Sequence, residues 1–188
     1  MDFGDLLAKR KMVRSYEDRK VPENVLKRIL DRATRHPSAG FSQGIHLIVV
    51  LEGRTRLAEA AGEDMWAEKG YPLWLSTAPV HIAICADPAS YRDRYDEADK
   101  SASIDDWNVP YWWVDAGAAL MLLLLASVDE GLSAGFLGAH AFDDLSSLLQ
   151  LPVGVLPVGV ATIGYGAPDP VIGSRSRPRL DTVHHESW

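Results

Sequence analysis

The chain has 188 residues and a formal net charge of -7, which bounds it as one domain able to bury roughly 70% of its unfolded surface. That acidic balance excludes a general nucleic-acid binder, which needs a basic face to displace counterions, so any anion site must be local. The lone cysteine, Cys85, lies in the apolar run 80–86; it excludes an intrachain disulfide and fits a reducing cytoplasm.

The first residues, MDFGDLLAKRK, lack the basic region and long apolar core of a signal peptide. Phe3, Leu6 and Leu7 recur at helical spacing and predict a short helix over 2–10. The turn Arg10-Lys11-Met12-Val13-Arg14-Ser15-Tyr16 follows, with three cations in five residues. Such a cluster either faces water or converges on one anion, and guanidinium forks suit phosphate. Pro22 opens a helix over 22–36, with Val25, Leu26, Ile29, Leu30 and Ala33 on one face.

Residues 36–44 are turn chemistry throughout and lead into a strand, 45–51. A helix over 54–61 is followed by the ambiguous segment 63–75, where Trp66, Tyr71 and Trp74 lack a clean period and Gly70 and Pro72 interrupt. A second strand spans 80–86. The polar stretch 87–109 reads as a mobile excursion over the core.

Residues 111–129 form the longest helix, apolar nearly all round over 116–126, which predicts burial on every side. The run is too short for a membrane span, and one small subunit has little material to wrap it, so a partner subunit is expected. Then come a strand and turn over 131–138, a helix over 142–149 and a Val-rich strand over 155–164. The tail, 166–188, carries a second basic cluster with Arg175 and Arg177; it is either disordered or laid across something.

Helices and strands mix without strict alternation, which predicts a single α+β domain over 1–188, a central mainly antiparallel sheet with helices on both faces. Both standard nucleotide-loop fingerprints are absent, and so is a G-x-S-x-G elbow. His184 and His185 are adjacent in an extended tail and point apart, so no metal site is expected. His81, in an apolar strand, reads as a satisfied core or interface histidine.

The order of features, a basic R-K-x-V-R-x-Y turn, a helix, a P-S-x-x-x-x-Q turn into a strand, a buried helix, a G-L-x-x-x-x-x-G turn, a V-x-x-x-G-Y strand and a basic R-x-R-P tail, resembles the nitroreductase family over nearly the whole chain. The resemblance implies an α+β homodimer with two FMN molecules at the subunit interface and a domain-swapped tail, 166–188, wrapping the partner. It implies that Arg10, Lys11, Arg175 and Arg177 grip the flavin phosphate and ribityl chain, that Met12 lies along them, and that Arg14 points at the pyrimidine edge. Pro37, Ser38, Ala39 and Gln43 match the loop along the flavin, although from the residues alone Ser38 can equally cap a turn and Gln43 face water. Leu137 and Gly138 match the segment beneath the ring near N5, where Gly138 would admit a close approach of main chain or simply end a strand.

Three departures stand out: Met12 replaces a usual serine, Phe41 a usual asparagine, and Gly44 and Ile45 a usual proline and tryptophan. Residues 64–76 also lack the Asn and Lys that some relatives aim at the flavin, and offer instead Trp66, Tyr71, Trp74 and, as the sole lysine, Lys69. The implied activity is hydride transfer from NADH or NADPH through FMN to a nitroaromatic, quinone or other conjugated acceptor by a ping-pong mechanism, with no obligatory side-chain acid. Two other readings keep the fold: a specialised flavoenzyme such as a dehalogenase, a flavin-destroying enzyme or a peptide oxidase, and a non-catalytic flavin or deazaflavin binder.

Overall fold

The structure, a computed structural model, describes residues 1–101, 103–168 and 182–188. In chain order the elements are α1 (Phe3–Lys9), α2 (Glu23–Ala33), β1 (Ile45–Val50), α3 (Arg54–Ala60), α4 (Glu63–Ala67), β2 (Val80–Ala86), α5 (Pro88–Tyr95), α6 (Tyr111–Asp129), β3 (Ser133–Gly138), α7 (Leu145–Leu148) and β4 (Leu156–Gly164). The four strands form one antiparallel sheet in the order β1-β2-β4-β3.

Alternation along the central strands divides the core in two. Val80, Ile82, Ile84, Ala161 and Ile163 face α2 and α6, while Ala83, Cys85 and Val160 face α3, α7 and the segment around Trp74 and Leu75. β2 is buried along its whole length because both its faces are covered. The α+β fold expected from the sequence is therefore present.

Several boundaries differ from expectation for local reasons. α2 stops at Ala33 because Pro37 disfavours helical backbone just before it. α7 is only Leu145–Leu148, since Asp144 sits at φ 42 and caps the helix by accepting from the Ser147 N–H. The polar stretch read as a mobile excursion instead holds α5, capped by Asp87 and anchored by Tyr91, which is fully buried.

α6 also departs from expectation. Asp115, Ala116, Ala119 and Leu123–Ser127 are buried, but Tyr111, Trp113, Val114 and Met121 are exposed, so one side of the helix carries an uncovered apolar stripe. By length and composition the helix is apolar enough to cross a membrane; its covered side packs into the sheet core. Arg28 grips Glu130 with two nitrogens and Arg32 reaches Asp129, which ties the C-terminal end of α6 to α2.

Candidate functional site

The basic turn is not a free loop. Met12 bridges Ala134 on the outer edge of β3, and the Val13 N–H donates to the Ala134 carbonyl at 2.9 Å. Val13 and Tyr16 are buried while Lys11, Met12 and Arg14 are exposed, so two inward residues anchor the turn and the cations are presented outward. The Tyr16 hydroxyl lies 2.7 Å from the Thr162 hydroxyl and 3.1 Å from the Val13 carbonyl, tying the turn to β4 as well. Burial pushes that phenol far above its usual range, so it stays neutral.

Gly135 explains the close seat of the turn: a Cβ there would stand 2.4 Å from the Val13 carbonyl oxygen. Any side chain would push the turn off the strand. Arg10, Lys11 and Arg14 have no carboxylate partner among the described residues. A groove of about 210 Å³ lies beside Lys11, lined by Lys9, Leu132 and Ser133 among others.

Further along β3, Leu137 pairs with Val160 and Gly138 with Gly159. The Ala134 carbonyl points outward to Val13, so with a period of two the main-chain groups of Phe136 and Gly138 point outward as well. Gly138 thus offers its N–H to the free edge of the sheet. A Cβ on it would stand 2.8 Å from the His140 ring.

The P-S turn lies elsewhere. The Ser38 hydroxyl accepts from the Gln43 N–H at 3.0 Å, the turn-capping role that the residues alone allowed, and its own proton is left to donate. Gln43 is exposed, Pro37 is exposed, and Ala39 donates its N–H to Asp115 at 2.9 Å. The Tyr91 hydroxyl donates to the same carboxylate oxygen at 2.7 Å. Burial, and then the bond and charge of Asp115, push the Tyr91 phenol well above its usual range. Asp115 and Tyr91 therefore moor this turn to α5 and α6. Neither was picked out from the sequence, although Asp115 is the one acid in an otherwise apolar run.

Gly40, Phe41 and Gln43 are all left-handed, at φ 61, 62 and 55, and a Cβ on Gly40 would stand 2.7 Å from the Tyr95 ring. Tyr91, Tyr95, Trp107, Tyr111 and Trp112 surround this region in edge-to-face contacts with centroids 4.8–6.3 Å apart. These aromatics pack with one another.

The register shows how far apart the two groups of site residues stand in one chain. The basic turn joins β3 at Ala134, in the row of Ile163 and Val80, whereas the P-S turn feeds β1 at Ile45, in the row of Ala86 and Leu156. These are opposite edges and opposite ends of the sheet, about three strand spacings across and about seven residues along, or roughly 25 Å. α6 joins them, its N-terminal turn at Ala39 and its C-terminal end at the groove beside Lys11.

Arg175 and Arg177 lie outside the described residues, as does most of the tail. Its first residues pair within their own chain: Gly166 bridges Tyr16, and the Ala167 N–H donates to the Ser15 carbonyl at 3.0 Å. These first residues of the tail therefore lie beside the basic turn.

These features define a class: an α+β protein with a four-stranded antiparallel sheet and a basic turn pinned to its edge strand. A sequence profile of the Nitroreductase family matches residues 7–165. A Methanothermobacter thermautotrophicus protein named as an NADH dehydrogenase/NAD(P)H nitroreductase is 31% identical over 193 residues, covering 100% of this chain and 88% of that one. The FMN reductase [NAD(P)H] of Bacillus subtilis is 29% identical over 191 residues, covering 96% of this chain and 71% of its own. Among solved structures, NfrA2 of B. megaterium superposes with a TM-score of 0.77 over 98% of this chain and 74% of its own, at 24% identity, a likeness of fold. The chain belongs to the nitroreductase family.

Proposed function

We propose that this protein is an FMN-dependent oxidoreductase that takes hydride from NADH or NADPH and delivers it, in a ping-pong cycle, to a nitroaromatic, quinone or other conjugated acceptor. The observation that carries this reading is the pinned basic turn: three cations without carboxylate partners among the described residues, held on a strand edge by a bridge that only glycine at 135 permits. Those residues fit a phosphate-bearing cofactor, and the names of the Methanothermobacter and Bacillus relatives point to FMN and NAD(P)H as its chemistry.

When bound, FMN supplies two-electron hydride chemistry that no side chain can. Arg10 and Lys11 would hold its phosphate, joined by Arg175 and Arg177 from the tail, with Met12 beside them. Arg14, permanently charged, would favour negative charge at the pyrimidine edge of the ring. Gly138 would offer its outward N–H, with Leu137 packed alongside. Pro37, Ser38, Ala39 and Gln43 would border the ring from a second copy of the chain, where the Ser38 hydroxyl has a proton to donate.

A second copy would account for two features of the geometry. Two α6 helices packed antiparallel through their exposed stripes would set the basic turn of one subunit against the P-S turn of the other, building two equivalent sites across a twofold axis. The uncovered Trp113, Val114 and Met121 and the roughly 25 Å gap within one chain would then have one cause. Phe3, Leu7 and Met12 are exposed as well.

The test is the absorption spectrum of the purified protein before and after adding FMN, followed by anaerobic NADH and NADPH. Flavin bands that bleach are expected, and Arg10→Ala should lower FMN affinity by about tenfold, the loss of one charge-assisted phosphate contact. No flavin uptake would overturn the proposal. Bound flavin that neither nicotinamide reduces would overturn its donor half and favour a specialised oxidase or a carrier.

A further inference from the structure

The segment between α4 and β2 is held in an unusual way. Glu63, only 2% exposed, turns its carboxylate onto the main chain and accepts from the N–H groups of Trp74 at 2.7 Å, Leu75, and Ser76 at 3.0 Å. A buried carboxylate is costly unless it is fully satisfied, so this one fixes the three amides that satisfy it. The other side of the segment is fixed as well. The Leu75 carbonyl accepts from His81 Nε2 at 2.7 Å, the Ala78 N–H donates to the Trp74 carbonyl at 3.1 Å, and the Thr77 hydroxyl donates to the Leu73 carbonyl at 2.8 Å.

The residue so fixed is Trp74, whose side chain is almost wholly buried. Its ring edge lies 3.1 Å from the point where a Cβ on Gly135 would stand, so the indole is wedged beside the basic turn. The Arg14 guanidinium lies 5.7 Å from the indole centroid. Arg14 is otherwise exposed and has no carboxylate partner among the described residues, so the indole is the group that can hold its orientation.

We propose that Trp74 is a positioning residue for Arg14, and that Glu63, by fixing the backbone of residues 74–76, keeps the indole where it steadies the guanidinium and so tunes the reduction potential of the bound flavin. The proposal rests on the FMN reading above. A cation that is already ordered gains more from charge appearing next to it than one that must first be immobilised. The effect therefore falls on the reduced cofactor more than on the oxidised one.

The experiment has an arm without cofactor and an arm with FMN. In the apo protein, NMR of the Arg14 side chain should show Hδ protons shifted upfield by the indole ring current, a shift lost in Trp74→Leu and retained in Trp74→Phe. An Arg14 signal that Trp74→Leu leaves unchanged would overturn the contact whatever the cofactor. With FMN bound, Trp74→Leu should weaken binding of the reduced relative to the oxidised form about fivefold. That lowers the midpoint potential by about 20 mV for a two-electron couple.

Trp74→Phe should recover most of that loss, and adding Trp74→Leu to Arg14→Ala should change nothing further. Additive shifts in the double variant would overturn the proposal, because Trp74 would then act without Arg14. Glu63→Gln should speed amide exchange at residues 74–76 and lower the potential in the same direction; unchanged exchange would overturn its part. If Glu63→Gln does not fold, the Trp74 pair decides alone. If the wild type takes up no FMN, the cofactor reading has failed, and the apo signals still decide whether Trp74 holds Arg14.

Discussion

His81 shows what burial does to a titratable side chain here. Its Nε2 lies 2.7 Å from the Leu75 carbonyl, so that nitrogen carries the proton, while Nδ1 has no partner among the described residues. The histidine expected to be satisfied is therefore satisfied at one end only. Burial pushes the imidazole down to about 4, against the Leu75 carbonyl, which favours the charged form. The unfolded chain, titrating near 6.5, binds the extra proton first as pH falls, so stability drops between about 6.5 and 4 and levels off below. The full loss is about 3 kcal/mol, and urea unfolding should follow it. In His81→Gln, which keeps a donor for Leu75, the pH slope over that window should fall by close to one proton; an unchanged slope would assign the proton elsewhere. Cys85, by contrast, is fully buried with its thiol pushed up to about 11 by burial, and is inert, as its apolar run indicated.

Among the elements, the P-S turn owes its shape to groups distant in sequence. Three left-handed residues in four positions are an unlikely local choice, and a left-handed non-glycine residue such as Phe41 costs about 1 kcal/mol. Asp115 and Tyr91 hold the turn against that cost. Tyr91→Phe removes the hydroxyl bonded to a buried carboxylate and should cost about 2 kcal/mol by urea unfolding, with faster amide exchange over residues 38–43. A change below about 0.5 kcal/mol would mean that the turn is held by packing alone. Little of this was legible in the sequence. α2, β1 and β2 announce themselves through periodic apolar residues, but α5 turns only Tyr91 inward and displays charge elsewhere, so its pattern resembles a loop. Glu63 gave no signal at all, because a carboxylate that binds main chain leaves no motif.

For the whole molecule, the instructive element is α6. Its composition announced burial on every side; the subunit itself covers only the side facing α2 and the sheet, and the sequence could not divide intramolecular from intermolecular cover. Residue spacing likewise does not show that the basic and P-S turns occupy opposite corners of the sheet. Met121→Arg puts a charge into the exposed stripe, away from both turns. Sedimentation velocity should show the wild type as a dimer and the variant as a monomer, with FMN retention lost alongside. A monomeric wild type that binds FMN tightly would refute the shared site, and a dimeric variant would place the interface elsewhere.

α6 also acts as a ruler. Its 19 residues span about 28 Å, and each residue added or removed would move one end by about 1.5 Å and swing it through about 100°. A single insertion would put the contact at Ala39 out of register with the groove beside Lys11 and break the apolar stripe in two.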